Sequence, residues 1–201
     1  MVADVIDIGR RERNKRDKHD RIFTAAQRLF DTFGYDAVTT QAIAAEADIA
    51  TGTLFRYAST KAELLLMVVN RQFELALEEG EAAASAVTDP VTAIRMLVAP
   101  LLDSEQRRPE IAAIYQRELM FGDPAERFRA EGLALIARFE LAIARILGPD
   151  SDVAAHLVFA AFHISSARTR VADLSADDAR VELFAQIALI VRGYTDPRTD
   201  R

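Results

Sequence analysis

The 201 residues are 50% hydrophobic and 28% charged, carry a net charge of −6, and include no cysteine. That balance allows a real core in one large or two small domains of a cytoplasmic chain. It excludes disulfides, thiolate metal sites and a cysteine nucleophile. No uninterrupted apolar run reaches the roughly 18 residues of a membrane helix. The early acids of "MVADVIDIGRRERNKR" do not resemble a secretion signal. The charge is unevenly spread: residues 1–65 sum to zero, and residues 66–201 carry the whole −6. Within Arg10–Arg21, "RRERNKRDKHDR", seven bases face three acids. Such a block on an acidic chain is either a local polyanion contact or a solvated helix start, and composition weighs the two evenly.

Almost every segment reads as helix, and no alternating run of strand length stands out. From about Lys18 to Phe33, Ile22, Ala25, Ala26, Leu29, Phe30 and Phe33 recur at helical spacing, and Gly34 stops that helix. Thr39 is a natural cap for a short second helix, Thr40 to Ala47. Asp48 sits where a tight turn wants a left-handed residue. A third helix runs to about Tyr57, and a fourth from Lys61 to about Glu79, capped by Ser59 or Thr60. Asp89–Pro90 opens the fifth helix, which Pro100 kinks or ends. Pro109 opens the sixth, to about Phe121. "DPAE" at Asp123–Glu126 caps the seventh. "SDVAAH" opens the eighth, to about Val171, and "SADD" at Ser175–Asp178 the ninth, to about Gly193. The prediction is an all-α fold of about nine helices.

The second and third helices, joined by a tight turn, form a helix-turn-helix. In that motif the second helix presents its N-terminal residues to base edges in the major groove. The composition of "AEADIATGTLFRY" (Ala45–Tyr57) suits the task. A helix start offers free N–H groups to phosphate. Gly52 lets a backbone approach, and Thr51 and Thr53 can donate to phosphates or bases. Phe55 can touch a thymine methyl, and Arg56 can reach guanine or phosphate. Tyr57 and Lys61 add donors for the phosphate backbone. Leu54 is predicted to face the core with Ile43, Ile49 and the first helix.

The stretch "TTQAIAAEADIATGTLFRYASTKAELL" (Thr39–Leu65), preceded by "AAQRLFDTFGYDAVT", resembles the DNA-binding domain of TetR-family transcriptional regulators. The features that carry the likeness are "FxxxGY" closing the first helix, the spaced "IAxxA" and "GTLxxY", and Lys61 before a long helix. The resemblance covers about Arg16–Leu65, roughly a quarter to a third of the chain. It implies DNA contacts at Thr40, Gln41, Thr51, Gly52, Thr53, Phe55, Arg56, Tyr57 and Lys61. Asp48 departs from the family's turn glycine, Ala50 from its Ser or Thr cap, and Ala58 from its phenylalanine, while Ala42 removes the acidic partner of the Thr39 cap. The Ala50 change weakens the start of the recognition helix by roughly 1 kcal/mol. The implied organisation is a flexible basic arm over 1–17, a DNA-binding domain over 18–65, a helical ligand-binding and dimerisation domain over 66–194, and a tail over 195–201.

The larger domain holds less specific signals. Met96, Tyr115, Glu118, Met120, Phe121, Phe128, Phe139, His156, Phe159 and His163 are the candidate lining of an effector cavity between helices five and eight, with core packing as the competing reading of each aromatic. His156 and His163 show no further ligands for a metal, and no metal or other cofactor is expected. The last two helices are apolar on more than one side, which predicts burial against a second copy. Ala160, Ile164, Ala167, Phe184, Ile187 and Ile190 are the candidate contacts of that homodimer. Phosphate-loop, nucleophile-elbow and metalloprotease signatures are missing, so the chain does not read as an enzyme. The expected function is a repressor that binds a palindromic double-stranded DNA operator as a homodimer and leaves it on binding a small, largely apolar effector. The alternative is an architectural DNA binder of the same fold without an effector.

Overall fold

The computed structural model describes residues 2–171 and 175–195, which form nine helices and no strand. Helix α1 spans Val2–Ala37. The arm expected over 1–17 is therefore helical from Val2 onward. The stretch has no proline and holds four arginines, which are good helix formers, so no proline stops the helix from growing backward. Gly34, at φ 74°, breaks α1 in a left-handed conformation that costs glycine little.

Helix α2 is Thr40–Glu46, and the Thr39 hydroxyl accepts from the Ala42 N–H at 3.1 Å. Asp48 takes φ 52° in the turn, as the sequence predicts. Helix α3 covers only Thr51–Leu54, shorter than the run to Tyr57 expected of it. Ala50 gives it no side-chain cap. Its hydrogen bonds then tighten, with Arg56 N–H to Thr53 O at 3.1 Å and Tyr57 N–H to Leu54 O at 2.8 Å, and the last turn leaves α geometry.

Helix α4 runs from Lys61 to Ser85, longer than expected because nothing in "EEGEAAAS" terminates it. Thr60 caps it through the Glu63 N–H at 2.9 Å, and Glu63 reaches back to the Ser59 N–H at 2.6 Å. Helix α5, Pro90–Arg107, carries Pro100 without ending there. Its cap Asp89 accepts from both the hydroxyl and the N–H of Thr92, which holds that carboxyl below its ordinary range. Helix α6 is Pro109–Phe121. Helix α7, Arg127–Leu147, lacks the predicted side-chain cap. Asp123 instead accepts from the Ala125 N–H within the preceding turn, and the Glu126 carboxylate takes a hydrogen bond from Thr60. Helices α8, Asp152–Val171, and α9, Ala176–Thr195, complete the chain, with Ser175 capping α9.

Two cores share α4. The first gathers α1, α2, α3 and the start of α4 around Ile22, Phe30, Ile43, Leu54 and Leu64. It also takes Ile111, Tyr115 and Leu119 from α6 and Phe128 from α7, so it extends beyond the first four helices. The second joins the rest of α4 to α5, α7, α8 and α9 around Leu77, Leu97, Phe139, Phe162 and Ile187. A Cβ on Gly80 would lie 2.2 Å from the Leu97 carbonyl oxygen, so α4 and α5 cross where only glycine fits. Between the cores, Tyr115 donates to Asn70 Oδ1 at 2.8 Å, and Asn70 donates to the Phe128 carbonyl at 2.7 Å. Burial pushes the Tyr115 phenol well up, so it remains a donor.

Candidate nucleic-acid interface

The helix-turn-helix is held from inside and from outside. Leu54 and Ile43 are fully buried in the first core, with Ile49 packed against it, as the sequence predicts. On the outside, Arg21 donates to the Asp48 carbonyl at 2.8 Å, and Arg28 pairs with Glu46. Two α1 arginines are thus committed to the turn between α2 and α3. The sequence does not reveal this, because the partners are 27 and 18 positions away and no period links them.

The predicted DNA residues are mostly presented outward. Gln41, Gly52, Phe55 and Arg56 are exposed; Thr40, Thr51, Thr53 and Tyr57 are half-buried. Thr53, Phe55, Arg56 and Tyr57 line one groove of about 820 Å³. Gly52 is informative. It does not have a positive φ, and a Cβ built on it meets nothing within 4 Å. Nothing in the chain requires glycine at this helical position. Lys61 has a role the sequence did not show. Its ammonium donates to the Tyr35 and Val38 carbonyls at 3.0 Å each and sits 4.1 Å from the centre of the Tyr35 ring. It secures the segment after α1 rather than standing free as a phosphate donor.

Of the predicted effector residues, Phe139, His156, Phe159 and His163 meet in one ring cluster, and the ten do not line a single cavity among the described residues. Met96, Met120 and Phe121 are exposed, the last by 83%. Phe139 is fully buried and meets Phe73, Phe159 and Phe162 edge-on. Glu118 pairs with Arg117 at 2.7 Å. His156 is exposed beside Glu140 at 2.8 Å, and Phe159 lies between the His156 and His163 rings. Beside Tyr115, the space lined by Leu101, Ser104 and Ile111 measures only about 30 Å³, one water's worth. A groove of ligand size lies elsewhere, between α1, α4 and α7, at about 600 Å³. Phe23, Met67, Phe128 and Leu135 give it an apolar wall. Arg71 and Arg127 on its rim pair with Glu74 and Glu131, and Arg138 pairs with Glu81. Of the predicted set, only Phe128 reaches it. Among the described residues no three potential metal ligands converge, and no helix is long and apolar enough to cross a membrane.

The candidate dimer residues divide. Ile187 is wholly buried in its own chain's second core and is unavailable to a partner. Ala160, Phe184 and Ile190 are half-buried, Ile164 is exposed, and the Ala167 side chain lies outside those described. Val153 and Leu157 join Ile164 as exposed apolar residues on α8, and Val181 and Leu189 are exposed on α9. The sequence missed these four because an all-round apolar pattern does not say which side faces the chain's own core.

Residues 22–68 match the family model described as bacterial regulatory proteins, tetR family. Over 109 residues the chain is 33% identical to the HTH-type transcriptional repressor KstR of Mycolicibacterium smegmatis, a match covering 54% of this chain and 53% of that protein. The Mycobacterium tuberculosis repressor of the same name is 31% identical over 54% of this chain and 50% of its own. The chain thus spans about half the length of the curated relatives it matches. Among solved structures, Thermus thermophilus FadR, a TetR-family repressor in complex with lauroyl-CoA, superposes with a TM-score of 0.72 at 24% identity, covering 90% of this chain and 97% of that one. A TetR transcriptional regulator from Rhodococcus sp. RHA1 gives 0.69 at 19% identity, with 89% and 97% covered. At these identities the superpositions show a shared fold.

Proposed function

We propose that the chain, whose residues 22–68 match the tetR family model, is a TetR-family regulator that represses transcription by binding a near-palindromic DNA operator as a homodimer. Gly52 is the observation that carries this reading: a glycine that nothing in the chain requires, beside exposed Gln41, Phe55 and Arg56. The repressors that match about half of the chain support the sense of regulation. The two-fold axis would come from the apolar stripe of Val153, Leu157 and Ile164 on α8 with Val181 and Leu189 on α9. Such a dimer places two recognition helices in successive major grooves, with half-sites roughly 34–36 Å apart. A DNA-bound regulator of this kind works in the cytoplasm. Selection from random duplexes is the test. The expected product is a two-fold repeat whose base preference is blurred by Gln41→Ala and by Arg56→Ala; recovery of unselected sequences by the intact protein overturns the reading.

The effector we infer is small and amphipathic, mostly apolar with an anionic end. The groove between α1, α4 and α7 supports the apolar part through the wall of Phe23, Met67, Phe128 and Leu135, while its rim arginines are each paired with a glutamate. A ligand bridging α1 and α7 more tightly in one arrangement would shift the dimer between DNA-competent and released states by its differential affinity alone. The lauroyl-CoA complex of the FadR neighbour supports an acyl chain on an anionic carrier as the first probe. Acyl-CoA thioesters of graded length are expected to release the protein from its operator, and Leu135→Trp to abolish release while sparing DNA binding. The close packing of α5–α8 favours a second reading, a DNA binder without an effector, and the absence of any thermal shift across that series would select it.

A further inference from the structure

The α1 extension divides its charges between two faces. At 100° per residue, Arg13, Arg16, Asp17 and Asp20 share one side, with Arg13–Asp17 and Arg16–Asp20 at the i, i+4 spacing that lets opposite charges compensate. Asn14, Lys15, Lys18 and His19 occupy the other. That second face lines the 820 Å³ groove, whose opposite wall includes Thr53, Phe55, Arg56 and Tyr57. The acids around the groove are engaged: Glu63 by Ser59, Glu126 by Thr60 and Asp123 by the Ala125 N–H. The helix-turn-helix cations sort in the same way. Arg21, Arg28 and Lys61 hold the domain together, whereas Arg13, Lys15, Arg16, Lys18 and Arg56 make no ion pair among the described residues; of these, Lys15, Lys18 and Arg56 line the groove.

We infer that Lys15 and Lys18 form, with Arg56, a rigid phosphate track that carries the protein's grip onto the DNA backbone beyond the bases read by α3. The inference rests on the DNA-binding reading and adds to it a footprint and the residues that set it. Position and charge select the occupant, because three of the groove's cations, Lys15, Lys18 and Arg56, lie beside the recognition turn, while the fourth, Arg127, is paired with Glu131. The track is helical, so its lysines reach backbone phosphates at fixed positions and carry no base preference. Each phosphate neutralised by a cation contributes about −0.9 to the slope of log K against log salt on B-DNA. Two lysines per protomer therefore make about 4 of that slope in a dimer.

The test compares the full chain with Lys15→Gln/Lys18→Gln and with Arg13→Gln/Arg16→Gln, which removes equal charge from the face that does not line the groove. Each is titrated across salt against the selected operator, with flanks of a few or many base pairs beyond the half-sites. The expected result for the lysine variant is a salt slope shallower by about 4, affinity at least tenfold weaker on the long duplex, and no gain from flank length. Base preference and thermal midpoint stay unchanged, since all four side chains are exposed. The arginine variant is expected to stay near the parent. Equal losses from both variants would mean general electrostatics and overturn the track, as would a lysine variant that binds like the parent or one that loses only effector response. Failure of the parent to bind any duplex selectively would instead overturn the DNA-binding reading itself.

Discussion

At the scale of single residues, the side chains around the recognition turn separate into those the fold uses and those it leaves outward. Gly52 belongs to the second kind. Gly52→Ala meets no internal clash and restricts the unfolded chain, so it is expected to stabilise the protein by up to about 0.5–1 kcal/mol. The same methyl would stand where a DNA backbone must approach, so operator affinity is expected to fall at least tenfold. Chemical denaturation and a binding titration on one preparation check both signs. Lys61 belongs to the first kind. Lys61→Ala removes two hydrogen bonds to the Tyr35 and Val38 carbonyls, and the expected loss of stability is about 1–3 kcal/mol. A stability unchanged from the parent would return Lys61 to the role of a free phosphate donor.

At the scale of elements, α3 is the weak member. Its four residues lack a side-chain cap, and its following turn is tightened by hydrogen bonds to the third residue back. Ala50 is exposed and extended, at φ −68° and ψ 142°, which is the conformation a capping serine adopts. Ala50→Ser is therefore expected to stabilise the protein by about 1 kcal/mol and to slow amide exchange at Thr53. Element starts were largely legible in the sequence. Thr39, Thr60, Asp89 and Ser175 cap the helices assigned to them, because a cap bonds to a backbone N–H only two or three residues away. The ends were less legible. Helix α4 outran its expected end by six residues and α1 its expected start by sixteen, since propensity is weak and neither stretch holds a breaker. The "DPAE" cap failed on α7 because Asp123 closed its own turn first.

At the scale of the molecule, α4 is the shared member, with its first turns in one core and its remainder in the other. A continuous helix therefore links the second core to the first, and the Tyr115–Asn70–Phe128 hydrogen bonds tie α6 and α7 to it at the first core. The proposed homodimer would join two chains through the exposed apolar residues of α8 and α9. Leu157→Glu together with Leu189→Glu places charge on the exposed stripe of α8 and α9 without entering the second core. Light scattering is expected to show one chain in place of two, with helical content retained and operator affinity lost. A double variant that remains a dimer moves the interface elsewhere.

Periodicity, caps and the spacing from Thr39 to Lys61 determined the helical class, the order of the helices and the recognition turn, since each depends on neighbours a few residues apart. Which face of α8 is spent on its own core, that Ile187 is interior while Leu189 is bare, and that Phe139 is packing rather than pocket were decided only by the tertiary structure. So was the division of α1's cations between the turn, held by Arg21 and Arg28, and the groove, lined by Lys15 and Lys18. A helical pattern specifies that a side chain lies on a face, but the partner of that face comes from residues tens of positions away, and no local rule records which of several apolar stripes the neighbouring helix will cover.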